Sequence, residues 1–156
     1  MPSSLRSKAM PTRRSHVIVK GAPDEVWGLI RDPLGWNPWF PEMGESSMEG
    51  DLRTITLPSG LSIVEQITTV DDELRRFQYR IVENFVIKDH LSTIDVFDLG
   101  DGTSLVSYSL EIQPDAMAIM LGYVTGQALL HLRDIFEGVY AEMPPHLRRQ
   151  RQQAGY

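Results

Sequence analysis

Cysteine is absent from all 156 residues. Its absence excludes disulfide frameworks, thiolate nucleophiles and cysteine metal sites, and it is compatible with a reducing compartment. No apolar run approaches the roughly 18–20 residues that span a bilayer. The first residues lack the apolar core of a signal peptide, so a cytoplasmic protein with no membrane span is expected. Four histidines occur without an i, i+4 pair, and no compact acidic loop has calcium-site spacing, so no metal is expected. No glycine-rich loop joins a strand to a helix in phosphate-binding order, which leaves no cofactor to expect either. Serine occupies no strained strand–helix elbow of the kind that hydrolases use.

Acidic residues are missing from both ends. All 21 lie between Asp24 and Glu142, whereas Arg6, Lys8, Arg13, Arg14, Arg148, Arg149 and Arg151 place seven positive charges outside the central body. The net charge is −6, but Lys20 to Glu142 carries −13, eight basic against 21 acidic residues. An acidic body argues against a nucleic-acid partner, which would require a basic face. A single domain over residues 12–141 is expected, with flexible tails at 1–11 and 142–156, as monomer or homodimer.

Several patterns give the order of elements. Ser15 to Lys20 is β-rich. Ala22-Pro-Asp-Glu-Val-Trp starts an amphipathic helix, with Pro23 at a position whose N–H has no partner and two acids at the positive helix start. An aromatic-rich second helix carrying Trp36 and Trp39 is expected next. From Ser46 onward about six strands follow, punctuated near Gly50-Asp51, Pro58-Ser59-Gly60, Asp71-Asp72-Glu73 and Gly100-Asp101-Gly102. Leu61, Ile63, Glu65 and Ile67 share one strand face. From Ala116 to Tyr140 the spacing predicts one long helix, with Met117, Leu121, Val124, Ala128, Leu132, Ile135 and Val139 on a stripe. Strands joined by turns imply an antiparallel sheet, and only the last helix is long enough to cover its apolar face. The fold class is α+β.

The Ala-Pro-Asp-Glu-Val-Trp segment, Trp39-Phe40-Pro41, Val64-Glu65-Gln66 before Asp71-Asp72, Phe77-Gln78-Tyr79-Arg80-Ile81, Gly100-Asp101-Gly102-Thr103 and Ala128-Leu129-Leu130-His131-Leu132 occur in an informative order. Together they make the chain resemble the polyketide cyclase/dehydrase-like proteins of the START/Bet v 1-like superfamily. The resemblance implies a helix-grip fold, in which a curved antiparallel sheet wraps a long C-terminal helix and two short helices follow the first strand. It also implies an internal hollow for a small hydrophobic or aromatic ligand, with its mouth near Pro58–Gly60 and Asn84–Lys88. The activity implied is cyclisation, aromatisation or dehydration of a polyketide-like substrate, or non-catalytic carriage of a lipid-like metabolite.

Glu65 interrupts an apolar strand face, so it is expected inside, either as an acid/base group or paired with Arg53. His90 begins a strand whose inner face holds Ser92, Ile94 and Val96, and it is a candidate proton shuttle or a hydrogen-bonded strand-end residue. Where the resemblance suggests a tyrosine, this chain has that histidine. Glu65 and His90 are the candidate catalytic pair. Trp39, Tyr79, Ser92, Tyr108, Leu121, Val124 and Ala128 are the candidate ligand-binding set, the aromatic members having core packing as their alternative role.

Overall fold

A computed structural model of the chain describes residues 11–84 and 86–137. The expected tails, and the part of the last helix beyond Glu137, lie outside the described residues. Seven strands are β1 (Thr12–Val19), β2 (Glu45–Glu49), β3 (Leu52–Thr56), β4 (Ser62–Asp71), β5 (Arg76–Val82), β6 (Asp89–Asp98) and β7 (Ser104–Gln113). They form one sheet in the order β1-β7-β6-β5-β4-β3-β2, and every neighbouring pair is antiparallel. Successive hairpins build six of the strands outward, and β1 closes the far edge against β7. A register shift between Ile67 and Thr69 bulges β4 and bends the sheet.

Helix α1 (Pro23–Ile30) lies where the sequence predicts it, with Pro23 in the first turn and Val26, Trp27 and Ile30 buried. Its outer end is clamped to the β4–β5 turn. Trp27 Nε1 donates to Asp72 at 2.8 Å, and Arg31 makes two further bonds of 2.9 Å to the same carboxylate. The expected second helix differs from the structure. Residues 33–40 form turns, and the helical piece is a single 3₁₀ turn at Pro41–Met43. Three prolines between positions 33 and 41 remove the amide donors that an α-helix there would need. Trp36 and Trp39 instead hang inward from the turns, with indole N–H groups donating to the carbonyls of Ile30 and Leu29.

Helix α2 (Asp115–Phe136) crosses the concave face and packs on β1 and β7. Its fully buried line is Ala118, Thr125, Ala128, Leu129, Leu132 and Phe136. Met117, Leu121, Val124 and Ile135, expected at the centre of the stripe, are only partly buried. The reason for Leu121 and Val124 is a hollow beneath them. That hollow lies between the main core and a smaller packed cluster of Ile87, Leu110, Ile112 and Ala118 at the α2 N-terminus.

Candidate functional site

The cavity measures about 390 Å³ and is walled by β3–β7 on one side and α2 on the other. Strand alternation supplies the wall. Ile55, Ile63, Glu65, Tyr79, Ile81, His90, Ser92 and Leu110 project inward from five adjacent strands, and Leu121, Val124 and Thr125 face them from α2. The mouth is bordered by Glu42 and Met43 of the 3₁₀ turn, Leu57-Pro58-Ser59 of the β3–β4 turn, and Met120. Asn84, Ile87 and Lys88 of the other expected mouth loop border a separate recess behind His90.

Glu65 and Arg53 are cross-strand neighbours on β4 and β3. Arg53 is fully buried, and both of its bonding nitrogens on that side reach one oxygen, Nε to Oε2 at 2.9 Å and Nη2 to Oε2 at 2.6 Å. Its Nη1 donates to Pro33 O at 2.8 Å, and the guanidinium lies 4.1 Å over the Trp36 ring. The arginine is therefore spent on the protein. Glu65 Oε1 has no hydrogen-bond donor among the described residues, although Glu65 is only 4% exposed and lines the cavity. Burial pushes the Glu65 carboxyl up in pKa, and the charge and hydrogen bonds of Arg53 pull against that shift. One carboxylate oxygen is anchored, and the other is offered to whatever occupies the hollow.

His90 is placed by the start of β6, and both ring nitrogens are used. Ile81 N–H donates to Nδ1 at 2.8 Å, which assigns the proton of the neutral ring to Nε2, and Nε2 lies 2.7 Å from Ser92 Oγ. Burial, then the nearby Arg80 charge, lowers its pKa to about 4, with Asp89 opposing. The sequence suggested an imidazole titrating near neutral pH; the structure holds a neutral one that donates in a fixed direction. Ser92 is the cross-strand neighbour of Tyr79, and its hydroxyl works against the rise in the Tyr79 pKa. Tyr79 and Tyr108 share a short hydroxyl–hydroxyl hydrogen bond. Burial and the Glu65 charge push Tyr79 up to about 12, and burial raises Tyr108 well above its ordinary value.

The two phenols hold two hydrogens and make one bond between them. Tyr108 is buried, does not line the cavity, and has no other hydrogen-bond partner among the described residues. An unsatisfied buried hydroxyl hydrogen costs about 1–3 kcal/mol. Tyr108 therefore donates to Tyr79, and the Tyr79 hydrogen is left for the cavity. The result is a largely apolar hollow in whose sheet wall, among the described residues, Glu65 Oε1 is a free acceptor and Tyr79 Oη–H a free donor.

Of the residues singled out from sequence, Glu65, His90, Tyr79, Ser92, Leu121 and Val124 come together around this cavity. Trp39, Tyr108 and Ala128 do not line it. Trp39 packs against Trp36 and Phe40, Tyr108 backs Tyr79, and Ala128 sits where α2 already touches the sheet. Missed residues fall into two groups. Ile55, Ile81 and Leu110 lie on the inward faces of their strands and could have been found by extending the alternation. Glu42, Met43 and Met120 come from a turn and a helix edge, for which periodicity gives no signal. Among the described residues no cluster of His, Asp and Glu side chains could hold a metal ion.

A family model described as polyketide cyclase / dehydrase and lipid transport matches residues 10–142, which is most of the chain. The chain belongs to that family. Membership agrees with the helix-grip architecture and with a ligand-binding hollow between sheet and helix. Among solved structures, the protein XoxI from Bacillus cereus is 28% identical, with a TM-score of 0.76 over 81% of this chain and 96% of that one. The di-domain ARO/CYC BexL from the BE-7585A biosynthetic pathway is 14% identical, with a TM-score of 0.68 over 80% of this chain and 45% of that one. Truncated norcoclaurine synthase from Thalictrum flavum is 17% identical, with a TM-score of 0.61 over 83% and 96% of the two chains. The last two share the fold at identities that speak for the fold alone. No curated protein sequence matches the chain.

Proposed function

We propose that the protein binds a small, neutral, largely hydrophobic or aromatic molecule in the cavity, docking one hydrogen-bond donor of that molecule on Glu65 Oε1. The observation that carries this reading is the buried carboxylate oxygen left free in an otherwise apolar hollow. A ligand hydroxyl there completes an acceptor already desolvated by folding, whereas a ligand carboxylate would meet a like charge with Arg53 already committed to Oε2. Tyr79 Oη–H can hold an acceptor on the same molecule. Titration of the purified protein with naphthol, methoxynaphthalene and naphthoate tests the reading, because the three differ in donor and charge but hardly in shape. A hydrogen bond to a charged group contributes about 1.5–3 kcal/mol, so naphthol should bind at least about tenfold more tightly than methoxynaphthalene. Naphthoate should bind least. Equal affinity for all three would defeat the proposal. Glu65→Gln should narrow the naphthol preference, and Tyr79→Phe offers a second variant that leaves Arg53 its partner.

The same pair favours a second reading, acid–base catalysis of cyclisation or dehydration. Glu65 Oε1 would take a proton from the carbon beside a carbonyl whose oxygen Tyr79 holds. The C–H electron pair would move into the enolate, and Tyr79 would stabilise the oxygen that gains charge. In this reading His90 is a positioning residue that fixes the hydrogen-bond direction through Ser92. Deuterium exchange into a neutral aryl ketone, followed by NMR, checks it. Glu65→Gln should slow exchange by about 10²–10⁴-fold. Wild-type exchange no faster than buffer alone leaves the binding role, that of a carrier, standing.

A further inference from the structure

The outward side of α2 is unusual for a surface helix. Between Asp115 and Arg133 there is no Asp, Glu, Lys or Arg. Ile119 is 65% exposed, Met120 52%, Tyr123 69% and Leu130 37%. At 100° per residue Ile119, Tyr123 and Leu130 fall within about 40° of one another. A helix of this kind normally turns charged side chains to water, so an exposed apolar stripe signals something that covers it. Two further features say what. Met120 also lines the mouth of the cavity, so the stripe adjoins the route by which a ligand enters. Arg13 and Arg14 of β1 form a recess with Ile119, Gly122 and Tyr123, and neither arginine is ion-paired among the described residues.

Arg13 lies over Gly122 so closely that an added Cβ there would come within 2.9 Å of its Cγ. Its stem thus covers apolar helix surface while its charge stays at the rim, the arrangement of a snorkelling side chain. The charge distribution agrees. The first acid of the chain is Asp24, so Arg6, Lys8, Arg13 and Arg14 arrive without a sequence-local counter-charge, whereas the chain as a whole is −6. Residues 1–14 carry +4, and the remaining 142 carry −10. Such a molecule turns its basic end toward a negative surface and its acidic body away from it.

We propose that this face docks the protein, cavity mouth first, on an anionic lipid bilayer. Ile119, Met120 and Tyr123 enter the interface, and Arg13, on the helix side of β1, engages lipid phosphates. Arg14, on the opposite face of that edge strand, adds its charge within a Debye length of the surface. A second copy of the chain fits less well. Self-association through this patch brings two arginine pairs to one rim, with no acid on α2 between Asp115 and Asp134 to answer them.

Co-sedimentation of the full chain with vesicles tests the proposal. Phosphatidylcholine vesicles are compared with vesicles containing equal parts phosphatidylglycerol. The protein should pellet with the anionic vesicles, and salt should release it. Arg13→Gln/Arg14→Gln should weaken binding by about fivefold for each cation removed. Ile119→Glu/Tyr123→Glu should weaken it by about tenfold or more. All four positions are solvent-facing and outside the cavity wall, so naphthol binding should be unchanged in every variant, which separates failure of this surface from failure of the cavity reading. No binding to either vesicle, or anionic binding that the variants retain, overturns the proposal. So does a wild-type dimer in sedimentation velocity that Tyr123→Glu dissolves while vesicles remain unbound.

Discussion

Acid should destabilise this protein in a window set by His90. The buried imidazole has its Nδ1 lone pair occupied by Ile81 N–H and its Nε2 hydrogen directed at Ser92. A second proton would have to enter at Nδ1, replacing a 2.8 Å hydrogen bond with two hydrogens in opposition. Arg80, whose Nη1 bonds the His90 carbonyl at 3.2 Å, adds a like charge nearby, and Asp89 offsets it only in part. Folding lowers the pKa from 6.5 to about 4. The unfolded chain therefore binds the proton more readily than the folded one, so stability is full above about pH 6.5 and falls as pH drops toward 4. At about 1.36 kcal/mol per unit, the loss from this residue alone is roughly 3 kcal/mol. Urea unfolding followed by tryptophan fluorescence, between pH 7.5 and 4, measures it. Other groups titrate in the same range, so the informative quantity is the difference from His90→Asn, whose side-chain oxygen can still accept the Ile81 N–H. The wild type should be the more stable at pH 7.5, and the gap should shrink by roughly 3 kcal/mol by pH 4. Parallel stability curves for the two proteins, or a His90 NMR resonance titrating near 6.5, would refute the assignment.

Arg53→Met should cost about 3–5 kcal/mol, because it strands the Glu65 carboxylate in the core. Adding Glu65→Leu should recover much of that loss, and chemical denaturation of the single and double variants measures both steps. Gly44→Ala should destabilise by at least about 1–3 kcal/mol: Gly44 has φ +61°, and a Cβ there would lie 2.2 Å from Thr56 O. The damage should reach naphthol binding too, since Gly44 ends the 3₁₀ turn that supplies Glu42 and Met43 to the mouth. Asp72, bonded by Arg31 and Trp27, has its pKa lowered to about 2. Its contribution is present above the ordinary carboxylate range and lost as pH falls toward 2, so Asp72→Asn should flatten the acid limb only below about pH 4 in the same titration.

Much of the architecture was legible because strands and helices print their periods on sequence. Alternation from Ile63 to Ile67 and from Phe77 to Ile81 marks which side chains share a face, and turn residues mark where the strands reverse. Those two signals suffice for an antiparallel sheet of about seven strands with one long helix across it, whereas the pairing of β1 with β7 has no local signal. Residues 33–40 have the aromatic content of an amphipathic helix, but the prolines at 33, 38 and 41 deny such a helix its backbone donors. The cavity was only half legible, for a related reason. Periodicity places Tyr108 and Ala128 on inward faces just as it places Tyr79 and Val124. What separates the pairs is whether α2 touches the sheet or stands away from it at that level, and no local pattern encodes that distance.

The same limit explains why Glu65 could be placed inward but not given a chemical state. Inward polarity on an apolar face signals either a partner or a function, and here the two carboxylate oxygens divide those roles. Arg53 occupies Oε2 and is itself enclosed by Trp36, Phe77 and the Pro33 carbonyl, so it cannot swing across to Oε1 without losing all three. The aromatic turns are thus what holds the site. By boxing in the guanidinium, the turns at 33–40 keep Arg53 on Oε2 and leave Oε1 facing the hollow. Trp36→Leu should then weaken naphthol binding although Trp36 touches no ligand, because Arg53 would gain the freedom to chelate both oxygens. Isothermal titration of that variant with naphthol and methoxynaphthalene decides the point. A preserved preference for naphthol means that the box is dispensable, whereas a loss of preference at unchanged methoxynaphthalene affinity means that the turns set the chemistry of the cavity.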